Sequence, residues 1–196
     1  MALVVGDWLV AGQAARRMVE ERLSSTAKIA ADSLPYFLEA GQSLLIDMSQ
    51  PELMDLTPAT LSMRLAERIR AIPYFRQLPV FDPSEQIRGG YPQMEEIQLR
   101  LTPEEITAIT LALQVVLIQV YTVPPFPGER SAQVSFVASI TNEIGEVTGV
   151  LLGRTDLESN PFTRPALNAL EGIAAEQGEG FILDENQRVL YYTKET

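Results

Sequence analysis

The segment from Ser135 to Leu157 constrains the fold of this chain more than any other part of the sequence. It predicts two β-strands of about ten residues joined by a tight polar turn that contains Asn142 and Gly145. Small and hydroxyl side chains alternate with apolar ones on the first strand, and an arginine and Asp156 close the second. No nucleophile lies beside a general base in this segment, so we interpret it as a wall of a binding pocket and not as a catalytic site.

The composition is ordinary for a globular protein and excludes several classes of function. The chain has 196 residues, which suffices for one domain or for one domain and part of another. Its net charge of −11 would repel a polyphosphate, so we predict no nucleic-acid partner. The sequence contains no Cys and no His, which removes Cys/His zinc sites, Cys nucleophiles and Ser–His–Asp relays. We therefore expect no metal site, no cofactor and no enzymatic activity.

No segment of the sequence is predicted to span a membrane. The most apolar run, Leu111 to Val120, has ten residues, of which two are Gln, whereas a spanning helix needs about 20. The apolar opening segment contains Asp7 and lacks a basic start, so it is not a convincing signal peptide. Two interpretations of this segment stay open: the frayed start of a helix, or the outer end of a membrane helix.

A narrow apolar stripe predicts a long helix over residues 9–40. Its members recur at steps of three, four or seven, and charged side chains cover the other faces. We expect Pro35 to kink or disturb the helix near its end and Gly41 to stop it. One interpretation is that the stripe packs against the core alone. The other is a homodimer seam, because a helix of this length overhangs a domain of this size and part of its stripe could contact another helix. The stripe consists of Ala15, Val19, Leu23, Ala30, Leu34 and Phe37.

The rest of the chain predicts shorter helices and strands. Thr57 and Thr102 each precede a proline, which is typical of a capped helix start, and Asn160 is predicted to cap a later helix. The positive end of the helix dipole explains Glu104 and Glu105 without a catalytic role. Three successive strands with short connections must be antiparallel. The predicted order is a helix at 58–72, strands at 78–82 and 86–91, a helix at 103–113, strands at 115–123, 131–141 and 146–157, a helix at 160–176 and a hairpin at 181–192.

The order of these elements is similar to that of the Cache family of bacterial extracytoplasmic sensor domains. The resemblance lies in the strand–Asp–turn–strand pattern VFDPSEQIRGGYP (80–92), the helix after it, and three strands that end in GVLLGRTDL (149–157). It implies an α+β fold with a PAS-like antiparallel sheet and a long N-terminal helix. It also implies that residues 1–157 form a membrane-distal lobe, and that 158–196 form the connecting helix and first hairpin of an incomplete membrane-proximal lobe.

The resemblance further implies a function. Domains of this family lie outside the membrane on receptors such as sensor kinases and chemoreceptors, so we expect an extracytoplasmic ligand-sensing domain of a membrane-anchored protein. Its partner would be a small-molecule ligand bound in the distal lobe. The alternative is a dimerisation or protein-docking module of the same fold, whose signature would be a sheet concavity filled by its own side chains.

Four residues are candidates for binding the ligand: Asp156, Tyr121, Ser135 and Arg100. In Cache domains that bind amino acids, an R-x-W-Y motif holds the carboxylate, a Tyr follows on the next strand, and an Asp on the last strand holds the amine. Tyr121 and Asp156 match the last two positions, but the R-x-W-Y motif is absent. Arg100 is offered instead as an anion contact, and we expect a ligand other than a free amino acid held in the usual way.

Each candidate also has a structural interpretation. Ser135 is placed in the pocket by the alternation of strand side chains, but the same alternation allows it to face solvent. Tyr121 would otherwise lie at the edge of the core. Asp156 would otherwise form a salt bridge with Arg154 or cap the segment that follows it.

Overall fold

The computed structural model describes residues 2–93, 99–115, 118–123, 132–175, 178–184 and 186–193, with side chains from residue 17 onward. Within these ranges the chain has the predicted α+β fold, with a long N-terminal helix, a five-stranded antiparallel sheet and a separate two-stranded hairpin. None of the helices in the described residues combines the length and apolar character that a membrane crossing requires.

The N-terminal helix, α1 (Ala2–Met48), has 47 residues and is longer than predicted at both ends. It continues through Pro35 and also through Gly41. The prediction that Gly41 stops the helix is therefore wrong, and the reason for a glycine at this position is found where α1 crosses the sheet.

At this crossing, α1 lies too close to the sheet for a side chain at position 41. A Cβ atom there would overlap the Phe136 ring at Cζ and would lie 2.6 Å from Phe136 Cε1 and 2.5 Å from the Tyr74 hydroxyl. The same hydroxyl donates a hydrogen bond of 2.6 Å to the Phe37 carbonyl of α1. Gly41 thus permits a close helix–sheet contact, which Tyr74 holds in place.

Two later helices begin at the predicted caps. A short 3₁₀ helix (Pro51–Asp55) precedes α2 (Pro58–Ala71), where the Thr57 side chain accepts a hydrogen bond from the backbone N–H of Thr60. The next helix, α3 (Pro103–Gln114), begins with a capping box between Thr102 and Glu105.

The five-stranded sheet has the order β2–β1–β5–β4–β3, and each neighbouring pair is antiparallel. The prediction of three successive antiparallel strands is confirmed, although 116–117 in the first of them lie outside the described residues. Its strands are β1 (Leu78–Phe81), β2 (Ile87–Tyr91), β3 (Ile118–Val123), β4 (Gln133–Thr141) and β5 (Val147–Asp156), and the separate hairpin is β6 (Phe181–Leu183) with β7 (Val189–Tyr192).

Different helices cover the two faces of this sheet. On the back face, Phe136 and Leu151 belong to a core that includes Phe37 of α1 and side chains of α2. On the front face, Val137 and Leu152 pack with the apolar side of α3. The strict alternation of strand side chains therefore separates two cores, and the predicted site residues can be assigned to one face or the other.

Asn160 does not cap the fourth helix as predicted. This helix, α4 (Arg164–Ala175), begins four residues later. The Asn160 amide donates to the Tyr74 carbonyl at 2.9 Å and to Thr155 Oγ1 at 2.8 Å, and Asn160 Oδ1 accepts from the Phe162 N–H at 2.9 Å. Its side chain therefore ties the turn before α4 to the sheet.

Candidate functional site

Three of the four predicted site residues lie on the front face of the sheet. Ser135 in β4 is directly opposite Tyr121 in β3 and Arg154 in β5. Asp156 is two positions beyond Arg154, so it points to the same face. The strands thus bring these side chains to one surface, and the contacts of each decide what that surface can bind.

A buried ion pair fills the front face beside α3. Arg154 Nη2 lies 2.5 Å from Glu105 Oε2, and Arg154 Nε lies 2.8 Å from Oε1. Ser135 Oγ donates to Glu105 Oε1 at 2.6 Å. Glu105 is 0% exposed and Arg154 is 3% exposed, so Ser135 faces neither solvent nor an open pocket.

The Glu105 carboxylate is also the cap of its own helix. The backbone N–H of Thr102 donates to Glu105 Oε2 at 3.0 Å. Burial alone would raise the pKa of Glu105, but the hydrogen bonds and charge of Arg154, with the bonds from Ser135 and Thr102, lower the pKa below its usual value. Glu105 is therefore an ionised carboxylate inside the protein.

The helix dipole was an incomplete explanation of Glu105, and the ion pair was missed. The sequence contains a signal for it, because Glu105 shares one helical face with Ala108, Ile109 and Ala112, all of which are buried. An acid on an apolar helix face needs a buried partner. The partner, Arg154, is 49 positions away in the sequence, so no local pattern identifies it.

Arg100 takes part in this network through its backbone. Its carbonyl accepts a hydrogen bond of 2.7 Å from Arg154 Nη2, while the Arg100 side chain is exposed. Gln77 Oε1 accepts a further bond of 3.1 Å from Arg154 Nη1. The anion contact predicted for the Arg100 guanidinium remains a prediction.

Asp156 lies at the end of β5 and is 4% exposed. Its carboxylate accepts hydrogen bonds from Arg76 Nη1 at 2.5 Å, and from the N–H and Oγ of Ser159, both at 2.6 Å. Burial alone would raise the pKa of Asp156, but the bonds from Ser159 and the bond and charge of Arg76 lower it. The suggested salt bridge with Arg154 is wrong because Arg76 is the partner, while the cap on the following segment is present. The ligand role of Asp156 remains a prediction.

A cavity of about 440 Å³ lies between α1, the edge strand β3 and the C-terminal hairpin. Tyr121 is the one predicted site residue among its described lining, and partial burial raises the pKa of its hydroxyl, which stays protonated. Most of the described lining residues are apolar, and three of them are charged. The lining includes Leu34, Phe37 and Leu38 of α1, Val120 and Thr122 of β3, Glu104 of α3, and Ile182, Asp184, Arg188 and Leu190 of the hairpin.

The fold is shared with ligand-binding domains of chemoreceptors. The domain of the Pseudomonas aeruginosa amino-acid chemoreceptor PctC, in complex with GABA, matches with a TM-score of 0.65 and 14% identity over 88% of this chain and 74% of that one. The sensory domain of Campylobacter jejuni Tlp3 matches with a TM-score of 0.60 and 14% identity over 91% and 74%. The domain of Pseudomonas fluorescens CtaA, in complex with L-leucine, matches with a TM-score of 0.57 and 16% identity over 91% and 72%.

These matches confirm the sensor-domain fold that the resemblance to Cache domains implies. No protein-family model matches the chain, and no curated protein matches it either. At 14–16% identity, the likeness extends to the fold and not to individual binding residues.

Proposed function

We propose that this chain is the extracytoplasmic ligand-sensing domain of a bacterial signal-transduction receptor, and that it binds its ligand without catalysis. The observation that carries the proposal is the sheet order β2–β1–β5–β4–β3 beside a 47-residue helix. Among the chemoreceptor domains that share this architecture are complexes with GABA and with L-leucine. In the parent receptor, the domain lies outside the membrane to which the receptor is anchored.

The cavity beside Tyr121 is the proposed ligand site. Its volume of about 440 Å³ falls within the range of roughly 300–1,000 Å³ that is usual for small-molecule sites. The ring and hydroxyl of Tyr121 offer both apolar and polar contact. Asp156 and Ser135 are not among the described residues that line this cavity, so their predicted ligand contacts are not part of this site.

Thermal-shift screening of small metabolites tests this site. We expect a ligand that raises the Tm of the wild-type protein to lose its effect on the Tyr121→Ala variant. The matched control is Tyr91→Ala, which removes a tyrosine from β2 at the opposite edge of the sheet and should leave the shift unchanged. A ligand that stabilises the wild type and Tyr121→Ala equally would contradict the assignment.

Signalling would use the two lobes and α1. We propose that residues 1–157 form the distal lobe and that 158–196 begin the proximal lobe. A small hydrophobic cluster between α1, α4 and the hairpin, separate from the two cores of the sheet, supports this division. A ligand with different affinity for two arrangements of these parts would shift their populations. The cluster consists of Ala30, Ala166, Leu167, Leu170 and Ile182.

A second candidate function is that of a dimerisation or docking module without a ligand. The observation that favours it is the Glu105–Arg154 pair, which fills the front face of the sheet with the protein's own side chains. Met18, Val19 and Leu23 of α1, which are 70%, 56% and 42% exposed, support a homodimer through the N-terminal helix.

Light scattering after size exclusion tests the homodimer. The Leu23→Glu variant is expected to convert a dimer to a monomer, because it places a charge in the apolar seam. Ile144→Glu is the matched control, since Ile144 is a 78% exposed apolar residue in the β4–β5 turn. An unchanged molar mass for Leu23→Glu would argue against this interface.

A further inference from the structure

The Glu105 carboxylate is surrounded as a bound ligand would be. Four donors reach its two oxygens: Ser135 Oγ and Arg154 Nε at Oε1, and Arg154 Nη2 and the Thr102 N–H at Oε2. A carboxylate has about four lone-pair sites, so this one is saturated. The guanidinium binds it through two nitrogens, which is the strongest geometry for this pair.

Two of the residues that supply donors, Arg154 and Ser135, are held in place by contacts other than those with Glu105. The Arg154 backbone forms hydrogen bonds with Gln77 on one side, with its N–H donating to the Gln77 carbonyl at 2.9 Å. Its side chain donates to Gln77 Oε1 and to the Arg100 carbonyl. Ser135 is fixed by the paired strands β4 and β5. Removal of the carboxylate therefore leaves a preorganised set of donors.

We propose that Arg154, Ser135 and the Thr102 N–H form a carboxylate-binding site whose resident occupant is Glu105. A small external carboxylate occupies this site when the Glu105 side chain is absent or withdrawn. The driving force is the cost of a buried guanidinium without a counter-charge. This site is separate from the cavity beside Tyr121, so the inference does not depend on the proposed ligand site.

Chemical rescue of the Glu105→Ala variant tests the site. This substitution removes a CH₂ group and a carboxylate, which are the heavy atoms of one acetate ion. We expect sodium acetate at pH 7 to raise the Tm of Glu105→Ala by about 2–4 °C, saturably, when it exceeds its dissociation constant severalfold. Sodium chloride at the same ionic strength and neutral acetamide should have no such effect, and acetate should not stabilise the wild type.

Two variants show whether the effect comes from this site. Glu105→Gln fills the same space with a neutral amide and is expected to show no response to acetate. Glu105→Ala combined with Arg154→Met should also lose the response. The proposal would be overturned if sodium chloride or acetamide raised the Tm of Glu105→Ala as much as acetate does. It would also be overturned if acetate still raised the Tm of the double variant.

If the Glu105→Ala variant does not fold in sodium chloride, a refolding experiment replaces the Tm measurement. The 196-residue chain is then diluted from urea into acetate or into acetamide, and the far-UV circular dichroism is recorded. Recovery of the native spectrum in acetate alone supports the site, and failure in both solutions refutes it. Neither result bears on whether a metabolite binds beside Tyr121.

Discussion

Glu105 makes three connections with one carboxylate. It caps the first turn of α3, it pairs with Arg154 of β5, and it accepts a hydrogen bond from Ser135 of β4. Because both charged groups of the pair are almost fully buried, loss of one leaves the other without a counter-charge in a poorly polarisable environment. The cost of breaking the pair is therefore larger than the net stability that the pair adds.

We predict that Glu105→Gln and Arg154→Met each lower the free energy of unfolding by about 3–5 kcal/mol. The double variant that combines Glu105→Gln with Arg154→Met should cost less than the sum of the two single changes. Urea unfolding of the three variants measures this. The control is Glu104→Gln at the exposed neighbouring position, which should change stability by no more than about 0.5 kcal/mol. Additive losses in the double variant would show that the two side chains do not interact.

The same pair predicts how stability depends on pH. The pKa of Glu105 is lower in the folded protein than its ordinary value of 4.5. Its contribution is therefore fully present above about pH 4.5 and is lost as the pH falls through the lower folded-state pKa. The stability gap between wild type and Glu105→Gln should shrink from pH 6 to pH 3 in urea titrations. A gap that stays constant over this range would contradict the ionised pair.

The side chains that bond to the predicted site residues lie far from them in the sequence, so local patterns do not identify them. The alternation of strand residues assigns Ser135 to one face of its strand without deciding between pocket and solvent, and the resemblance to Cache domains places Asp156 at the end of the last strand. Neither signal identifies the partners of these residues, because Arg76 and Asp156 are 80 positions apart. Arg154, only two residues from Asp156, is the partner that sequence proximity suggests, but it bonds to Glu105 instead.

At the scale of helices and strands, local signals set most boundaries correctly. Thr57 and Thr102 were recognised as caps because capping involves residues three positions apart. Gly41 and Asn160 were misinterpreted because their roles depend on the sheet and the core, which lie far away in the sequence. A glycine in a helical pattern marks either the end of the helix or a place where the helix packs closely against another element. At Gly41, only the positions of Phe136 and Tyr74 decide between these two roles.

Two glycines in helices should respond to alanine in opposite ways. Gly41→Ala is expected to destabilise the protein by about 1–3 kcal/mol, because the new methyl group overlaps the Phe136 ring. Gly172→Ala in α4 has no heavy atom within 4 Å of the added Cβ, so it should gain about 0.5–1 kcal/mol from helix propensity. Thermal unfolding of both variants compares them directly. Stabilisation by Gly41→Ala would mean that α1 does not approach the sheet this closely.

At the scale of the whole molecule, α1 divides into two parts with different surroundings. Every side chain from 17 to 29 except Thr26 is exposed, whereas Phe37, Leu45 and Met48 are buried in the back-face core. Residues 17–29 lie beside α4 but bury little side-chain surface against it, and a helix segment with so little buried apolar surface is only marginally stable in water. The order of helices and strands was predictable from local patterns, but this division was not, because it depends on where the sheet ends.

Hydrogen exchange should show this division. In dilute protein, we expect the amides of residues 17–29 to exchange at least roughly tenfold faster than those of 37–48. Protection of 17–29 that appears only at high protein concentration would indicate the homodimer through α1. Uniform protection along the helix in dilute protein would contradict the described burial.

The capping box at the start of α3 has a consequence for the evolution of this chain. The Glu105 carboxylate accepts a hydrogen bond from the Thr102 backbone N–H and balances the buried charge of Arg154, whereas the Thr102 hydroxyl caps the helix through the Glu105 backbone N–H. A homologue that loses the acid at position 105 is therefore expected to replace Arg154 as well, while it can keep Thr102 as the helix cap. Positions 105 and 154 are expected to change together across related sequences or not at all, although they lie far apart in the chain.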